Sequence, residues 1–179
     1  MNLHKDNGPG RVLHGWWHEV TQEREKGSAR AARAILRRAH DITAVTMTQP
    51  YQHLFQRMRE VEWNDRGYPR SNDALAAVAG LLVHVESDQN ERWLAHAMGQ
   101  CPDGSTRPYV SEARFKRLLE APDLDTLFTG LRRTLPLMSG GAPVLALAND
   151  VLQWAWPEQR DEVKKRWAYS FIWPKQNAA

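Results

Sequence analysis

SARAARAILRRAH, residues 28–40, carries a single clear periodicity. Ala, Leu and Arg are strong helix formers, and Ser28 suits an N-cap. At about 100° per residue, Arg30, Arg33 and Arg37 fall within about 60° of one another, and Arg38 lies about 80° from Arg30. Ala32, Ile35, Leu36 and Ala39 fall on the opposite side. One face therefore packs, and the other presents four guanidinium groups with no acid among them. Like charges on one helix face repel. The face predicts a phosphate-bearing or acidic partner, with a merely solvated face as the alternative. Thirteen helical residues span roughly 20 Å at about 1.5 Å each. That is enough to follow several phosphates spaced about 3.4 Å along a strand.

The helical period continues on both sides. Val12, Leu13, Trp16, Trp17 and Val20 predict a first helix between Pro9 and Gly27. Tyr51 to Val61 predicts a third after Pro50, and Asn64 to Pro69 a loop. Ser71 or Asn72 then caps a helix from Asp73 to Val85, apolar almost all round and so expected in the core. Asp88 to Met98 predicts another helix. Gly99 to Tyr109 is the longest loop and the expected lobe boundary. Four helices follow: Ser111 to Glu120, Asp123 to Pro136, Pro143 to Trp156, and Pro157 to Trp173. A weak strand signal is confined to Ile42–Met47. The predicted fold class is all-α, a bundle of about eight to nine helices with room for two small lobes. It occupies residues 10–174, between flexible termini at 1–9 and 175–179.

The remaining basic residues are grouped. With Phe115, Leu118 and Leu119 inward, Lys116 and Arg117 face outward and Arg114 flanks them. Leu124, Leu127, Phe128, Leu131 and Leu135 form a stripe; Arg133 lies opposite it and Arg132 beside it. Lys164, Lys165 and Arg166 make a basic triplet whose helix begins with Glu158, Asp161 and Glu162. Acids first and bases last also suit the helix dipole, which offers a purely structural reading of that triplet.

The composition hides this grouping. Lys and Arg total 24 in 179 residues against 21 Asp and Glu, so the formal charge is only +3. Eighteen of the basic residues are Arg, which favours planar, bidentate contacts, although a GC-rich genome has the same effect. Discrete basic patches, not diffuse charge, are what the sequence offers a polyanion.

Motifs for chemistry are lacking. Neither GxxxxGKS/T nor GxGxxG occurs. His14 and His18 have metal-ligand spacing, but the HGWWH context lacks a general base and a third ligand, and they read as ordinary histidines. Asp123 and Asp125 read as a helix cap and a first-turn acid. The single Cys101 excludes an intramolecular disulfide framework and a cysteine zinc site. Trp16, Trp93 and Trp154 lie on apolar stripes, whereas Trp63 sits in a polar segment, a candidate to stack on a base or fill an interface. The expectation is a non-enzymatic protein without cofactor or metal. The polar N-terminus and an apolar run of only Ala74 to Val83 point to a cytoplasmic protein with no membrane partner.

SARAARAILRRAH resembles the N-terminal signature of the CasB family, the small subunit of the type I-E CRISPR Cascade complex. Val110 to Leu119 is similar to the family's VSExRFxRLL-like segment, and Leu127-Phe128 with Leu131-Arg132-Arg133 continues it in order. Asn149 to Leu152 with Trp154 resembles a DLLxW-type stretch. Val163 to Phe171 resembles the closing RRRWAxxYY-type stretch, with Phe171 at an aromatic position. Residues 42–107 carry no such match. The resemblance implies a non-catalytic, all-α ribonucleoprotein subunit that self-associates and contacts the Cascade backbone and large subunits. It also implies contact with guide RNA, target DNA and the displaced DNA strand of the R-loop. By position, the candidate contacts are Arg30, Arg33, Arg37, Arg38, Arg114, Lys116, Arg117, Arg132, Arg133, Lys164, Lys165 and Arg166. Guide pairing supplies specificity in such recognition, and protein supplies backbone contacts. A helical DNA-binding transcriptional regulator using residues 28–40 is the alternative, although base reading favours Asn or Gln, which this stretch lacks.

Overall fold

A computed structural model describes residues 2–23, 26–61, 63, 69–89 and 93–173. Among them ten α-helices follow in order: α1 (Gly8–Thr21), α2 (Gly27–Arg38), α3 (Ile42–Thr46), α4 (Gln49–Glu60), α5 (Pro69–Leu82), α6 (Leu94–Gly99), α7 (Glu112–Leu119), α8 (Leu124–Thr134), α9 (Val144–Trp154) and α10 (Pro157–Ser170). Two short strands, β1 (Ser87–Asp88) and β2 (Gly141–Ala142), pair in parallel. The all-α expectation holds.

Side-chain caps or a proline mark the start of several helices. Asn7, Thr48, Ser111 and Asp123 each accept a first-turn backbone N–H through their side chains. Pro143 precedes α9 and Pro157 opens α10. Pro136 converts the end of α8 into a 3₁₀ turn, Leu135–Met138. Ser139 and Gly140 then adopt positive φ and reverse the chain into β2.

Helix α5 is the centre of the core. From Ala74 to Leu82 it is buried throughout, packed by α3, α8 and α9 among others. A Cβ at Gly80 would lie 2.8 Å from Val45 Cγ2 and 2.9 Å from Phe128 Cε2, so glycine sets the close approach of α3 and α8. At the far end, Phe115 stacks on Phe171 with centroids 3.9 Å apart, beside Trp154 and Trp167. Asp88 ties the β-pair to its surroundings, accepting from Val144 N at 3.0 Å, lying 3.0 Å from His14 Nε2, and pairing with Lys5 at 3.1 Å. Burial raises the Asp88 carboxyl, but these bonds outweigh it and hold the group below the usual range.

Several sequence expectations are corrected. Ile42–Met47 is not a strand: Asp41 caps Ala44 N at 2.6 Å and turns Ile42–Thr46 into a helix. Ser28 does not cap α2, which starts one residue earlier after Lys26. Ser71 and Asn72 lie within the first turn of α5 instead of capping it. Residues 87–88 form β1, and α6 begins only at Leu94. The N-terminal segment from Asn2 is not loose, because Leu3 is buried and exchanges two backbone-to-amide hydrogen bonds with Asn149 at 2.7 and 2.9 Å. Trp63 is buried in the core and is not displayed for stacking. The residue 64–68 loop and residues 175–179 lie outside the described residues. The loop expected at 99–109 is present but begins at Gln100, since Gly99 ends α6; it is closed at its base by Tyr109 N to Gln100 O and Val110 N to Met98 O, and the buried apolar cluster runs continuously on both sides of it.

Candidate nucleic-acid interface

The arginine face of α2 is divided by tertiary structure. Ala29 and Leu36 are its buried residues, and Ile35, expected inward, is 42% exposed. Ala29 and Leu36 lie about 20° apart on the wheel, and Arg33 only about 50° from them. Arg33 is therefore turned against α5, its side chain 14% exposed. Arg33 Nη2 donates to Glu86 Oε1 at 2.7 Å and Arg33 Nε to Val83 O at 3.4 Å. Arg37 Nε donates to the same carbonyl at 3.2 Å, with Arg37 Nη2 3.5 Å from Glu86 Oε1. The expected acid-free face thus has an acid between two of its arginines, supplied from beyond α5. Arg30 and Arg38 are exposed on the rest of the helix.

Helix α8 meets this end of α2. Arg132 Nη2 donates to the Arg37 carbonyl oxygen at 2.6 Å, serving one of the last-turn acceptors that α2 leaves open. His84 sits within the same group of charges. Burial, with Arg37, Arg132 and Arg33 nearby, pushes its pKa down to about 4. Its Nε2 is buried and has no hydrogen-bond partner among the described residues.

A groove of about 550 Å³ separates α7 from α8 and is lined by Arg114, Arg117, Arg133, Thr126, Thr129 and Asp125 among others. A Cβ at Gly130 would lie 2.6 Å from Leu118 Cδ2, so this glycine draws the two helices together beneath the groove. Arg114, Arg117 and Arg133 are exposed, and their side chains make no hydrogen bond or ion pair among the described residues. Arg38 shares that property. Several uncommitted guanidinium groups beside hydroxyls match phosphate oxygens in charge and geometry.

The other candidates are engaged elsewhere. Lys116 pairs with Glu112 at 2.5 Å and lies 5.9 Å from the Trp173 ring centroid. Lys164 covers the Trp154 ring at 5.5 Å, and Lys165 pairs with Glu162 at 2.9 Å. Arg166 donates to the buried Asp150 at 2.6 Å and to Gln153 at 3.0 Å, and lies over Trp93. Trp167 Nε1 bonds the other Asp150 oxygen at 2.6 Å. Burial pushes the Asp150 carboxyl up, opposed by its bonds from Arg166 and Trp167. Arg166 is thus a core-fastening residue, and the triplet of α10 is not one surface patch.

A larger groove of about 860 Å³ lies between α1, α2 and α4, lined by Trp16, Val20 and Ile35 together with Glu19, Glu23 and Glu60. Its Arg57 and Lys26 are already paired with Glu19 and Glu23, each at 2.7 Å, so the groove offers a phosphate no uncommitted Lys or Arg. Among the described residues no helix is long and apolar enough to cross a membrane, and no group of three or more His, Cys, Asp or Glu is arranged to hold a metal.

Fold and surface together define an all-α bundle that carries several exposed guanidinium groups without ion-pair partners among the described residues. The family profile of CRISPR-associated protein Cse2 matches residues 32–171, and the chain belongs to that family. A Cse2 protein from Thermus thermophilus is 33% identical over 144 residues, covering 79% of this chain and 78% of its own. The crystal structure of CasB from Thermobifida fusca superposes with a TM-score of 0.71 at 17% identity, over 92% of this chain and 98% of that one. A chain in E. coli Cascade bound to a PAM-containing double-stranded DNA target superposes with a TM-score of 0.59, also at 17% identity, over 88% and 95%.

Proposed function

We propose that this chain is the non-catalytic small subunit of a Cascade-type CRISPR surveillance complex. In this reading it lines the path of the nucleic acids, contacts the backbone and large subunits, and self-associates within the assembly. It holds guide RNA, target DNA or the displaced strand by their phosphates and so stabilises the R-loop. Family membership supports the assignment to such a complex. The observation that carries the binding role is the α7–α8 groove, where Arg114, Arg117 and Arg133 line the same space against a single acid, Asp125, and form no ion pair among the described residues. Arg38 and Arg132 extend the basic surface toward α2. The regulator alternative is weaker, because Arg33 and Arg37 are turned onto Val83 and Glu86 and do not stand free to enter a groove of DNA.

The test is a salt titration of binding to labelled single-stranded DNA of several sequences. Backbone binding gives a linear fall of log K with log salt, independent of sequence, and each lost phosphate contact lowers the slope by about 0.7. Arg114→Ala, Arg117→Ala and Arg133→Ala together should flatten it by about two. Sharp preference for one short duplex would favour the regulator instead.

A further inference from the structure

We propose that Glu86 is an internal counter-ion occupying a latent phosphate site formed by Arg33 and Arg37, and that a nucleic-acid phosphate displaces it. The inference rests on the phosphate-binding reading above and adds a regulating residue to it.

The geometry is that of an anion held by two guanidinium groups. A single oxygen, Glu86 Oε1, lies 2.7 Å from Arg33 Nη2 and 3.5 Å from Arg37 Nη2. A phosphate oxygen takes the same bridging position. Both arginines also donate to Val83 O through Nε, and this carbonyl is fixed by the chain. They therefore keep their orientation when the carboxylate leaves, and the site is preorganised for a replacement.

The carboxylate is the movable partner. Its side chain is 44% exposed and that of Arg37 41%, against 14% for Arg33, so Glu86 has a route to water and Arg33 does not. The Glu86 backbone is pinned, with its N–H on Gly140 O at 2.6 Å and its carbonyl accepting from Gln22 Nε2 at 2.5 Å. Only the side chain can swing. It passes beside Gly140, where a Cβ would lie 3.1 Å from Glu86 Cβ and Cγ. The longer Glu86–Arg37 contact is half-exposed and so weak in water, and a phosphate oxygen that replaces the carboxylate restores the Arg33 bond that displacement breaks.

The charge balance favours an incoming anion. Arg33, Arg37 and Arg132 all bear on His84, with Glu86 as the carboxylate bridging two of them. The buried, unpartnered His84 Nε2 in the same cluster leaves a polar atom that Glu86 does not serve. A strand already held in the α7–α8 groove presents its further phosphates at high effective concentration and displaces Glu86; free strands in solution compete less well. Glu86 thereby suppresses weak, unproductive binding.

The experiment compares full-length wild type, Glu86→Gln and the double variant Glu86→Gln with Arg37→Ala, using fluorescein-labelled oligothymidylate across a salt series. Glu86→Gln should bind about 3- to 10-fold tighter, with the slope steeper by about 0.7, one phosphate contact on a single strand. Arg37→Ala should abolish the gain. Asp103→Asn, an equal charge change on an exposed loop, should leave affinity and slope near wild type. An equal gain in Asp103→Asn, or none in Glu86→Gln while wild type binds through Arg114, Arg117 and Arg133, overturns the role of Glu86 and leaves the binding reading intact. If wild type and Glu86→Gln both fail to bind at low salt, the binding reading falls and this inference with it. Thermal melts establish that each variant folds; should Glu86→Gln not fold, Glu86→Asp, which withdraws the carboxylate by one methylene, carries the same comparison.

Discussion

The guanidinium group of Arg132 donates to the main-chain carbonyl oxygen of Arg37 at 2.6 Å, across 95 residues of sequence. This bond fastens the last turn of α8 to the last turn of α2 and brings the two basic elements into register. Arg132→Met keeps the aliphatic stem and removes the donor. The bond is solvent-exposed, so its loss should cost only about 1 kcal/mol. Arg132→Lys should recover only part, since an ammonium lacks the planar fork. Denaturant unfolding measures both, and an unchanged midpoint in Arg132→Met would show that water serves the carbonyl equally well.

A different basic residue is predicted to matter to stability and not to binding. Arg166 faces Asp150, whose side chain is only 6% exposed. Arg166→Ala leaves that carboxylate half-satisfied and should destabilise the fold by about 3 kcal/mol. Lys165→Ala, one position away on a solvated flank, should leave the unfolding midpoint unchanged. Asp150→Asn should recover part of the loss when combined with Arg166→Ala. Loss of DNA binding in Arg166→Ala without loss of stability would return this residue to the interface.

These two arginines show where the sequence was readable and where it was not. Helix existence was legible because capping residues and apolar stripes are local: Ser111 and Asp123 cap where expected. The exposed positions of Arg114, Arg117 and Arg133 followed from the same stripes. What a charged side chain meets across the fold is not local. Glu86 lies beyond α5, so the pairing of Arg33 and Arg37 left no mark on the wheel of α2. Asp150, on α9, claims Arg166 out of a triplet that otherwise suits the dipole of α10. Trp63 sits among polar neighbours in the sequence but is buried as part of the apolar cluster. The α3 segment failed for a smaller reason: one Asx cap outweighed the strand preference of Ile42, Thr43 and Val45.

The His84 environment gives stability a pH dependence. Its pKa is about 4 in the fold, pressed down by burial and by Arg37, Arg132 and Arg33, against 6.5 as the ordinary value. Between those values the unfolded chain binds the proton and the folded chain does not. The stabilisation is therefore complete above pH 6.5 and is lost progressively as pH falls toward 4. Thermal midpoints recorded through this window should fall less steeply in His84→Gln than in wild type. Parallel profiles would mean that His84 protonates freely in the fold.

Arg33 and Arg37 share a helical face, and on periodicity alone both lie away from the packed stripe. Their surroundings separate them. Arg33 is 14% exposed, close to the buried Ala29 and Leu36, and makes the shorter bond to Glu86. Removing it takes a donor from the Val83 carbonyl, strips Glu86 of its nearer partner and leaves unfilled space against α5. Arg33→Ala should therefore destabilise by about 1–2 kcal/mol. Arg37 is 41% exposed, and its contact with Glu86 is longer. Arg37→Ala should cost less than about 1 kcal/mol, within the range of solvated ion pairs. The two changes share both acceptors, so the double variant should lose more than the sum of the singles, because Val83 O and Glu86 then lose both donors together. Simple additivity in denaturant unfolding would show that the two arginines act independently, each replaceable by water at the shared carbonyl.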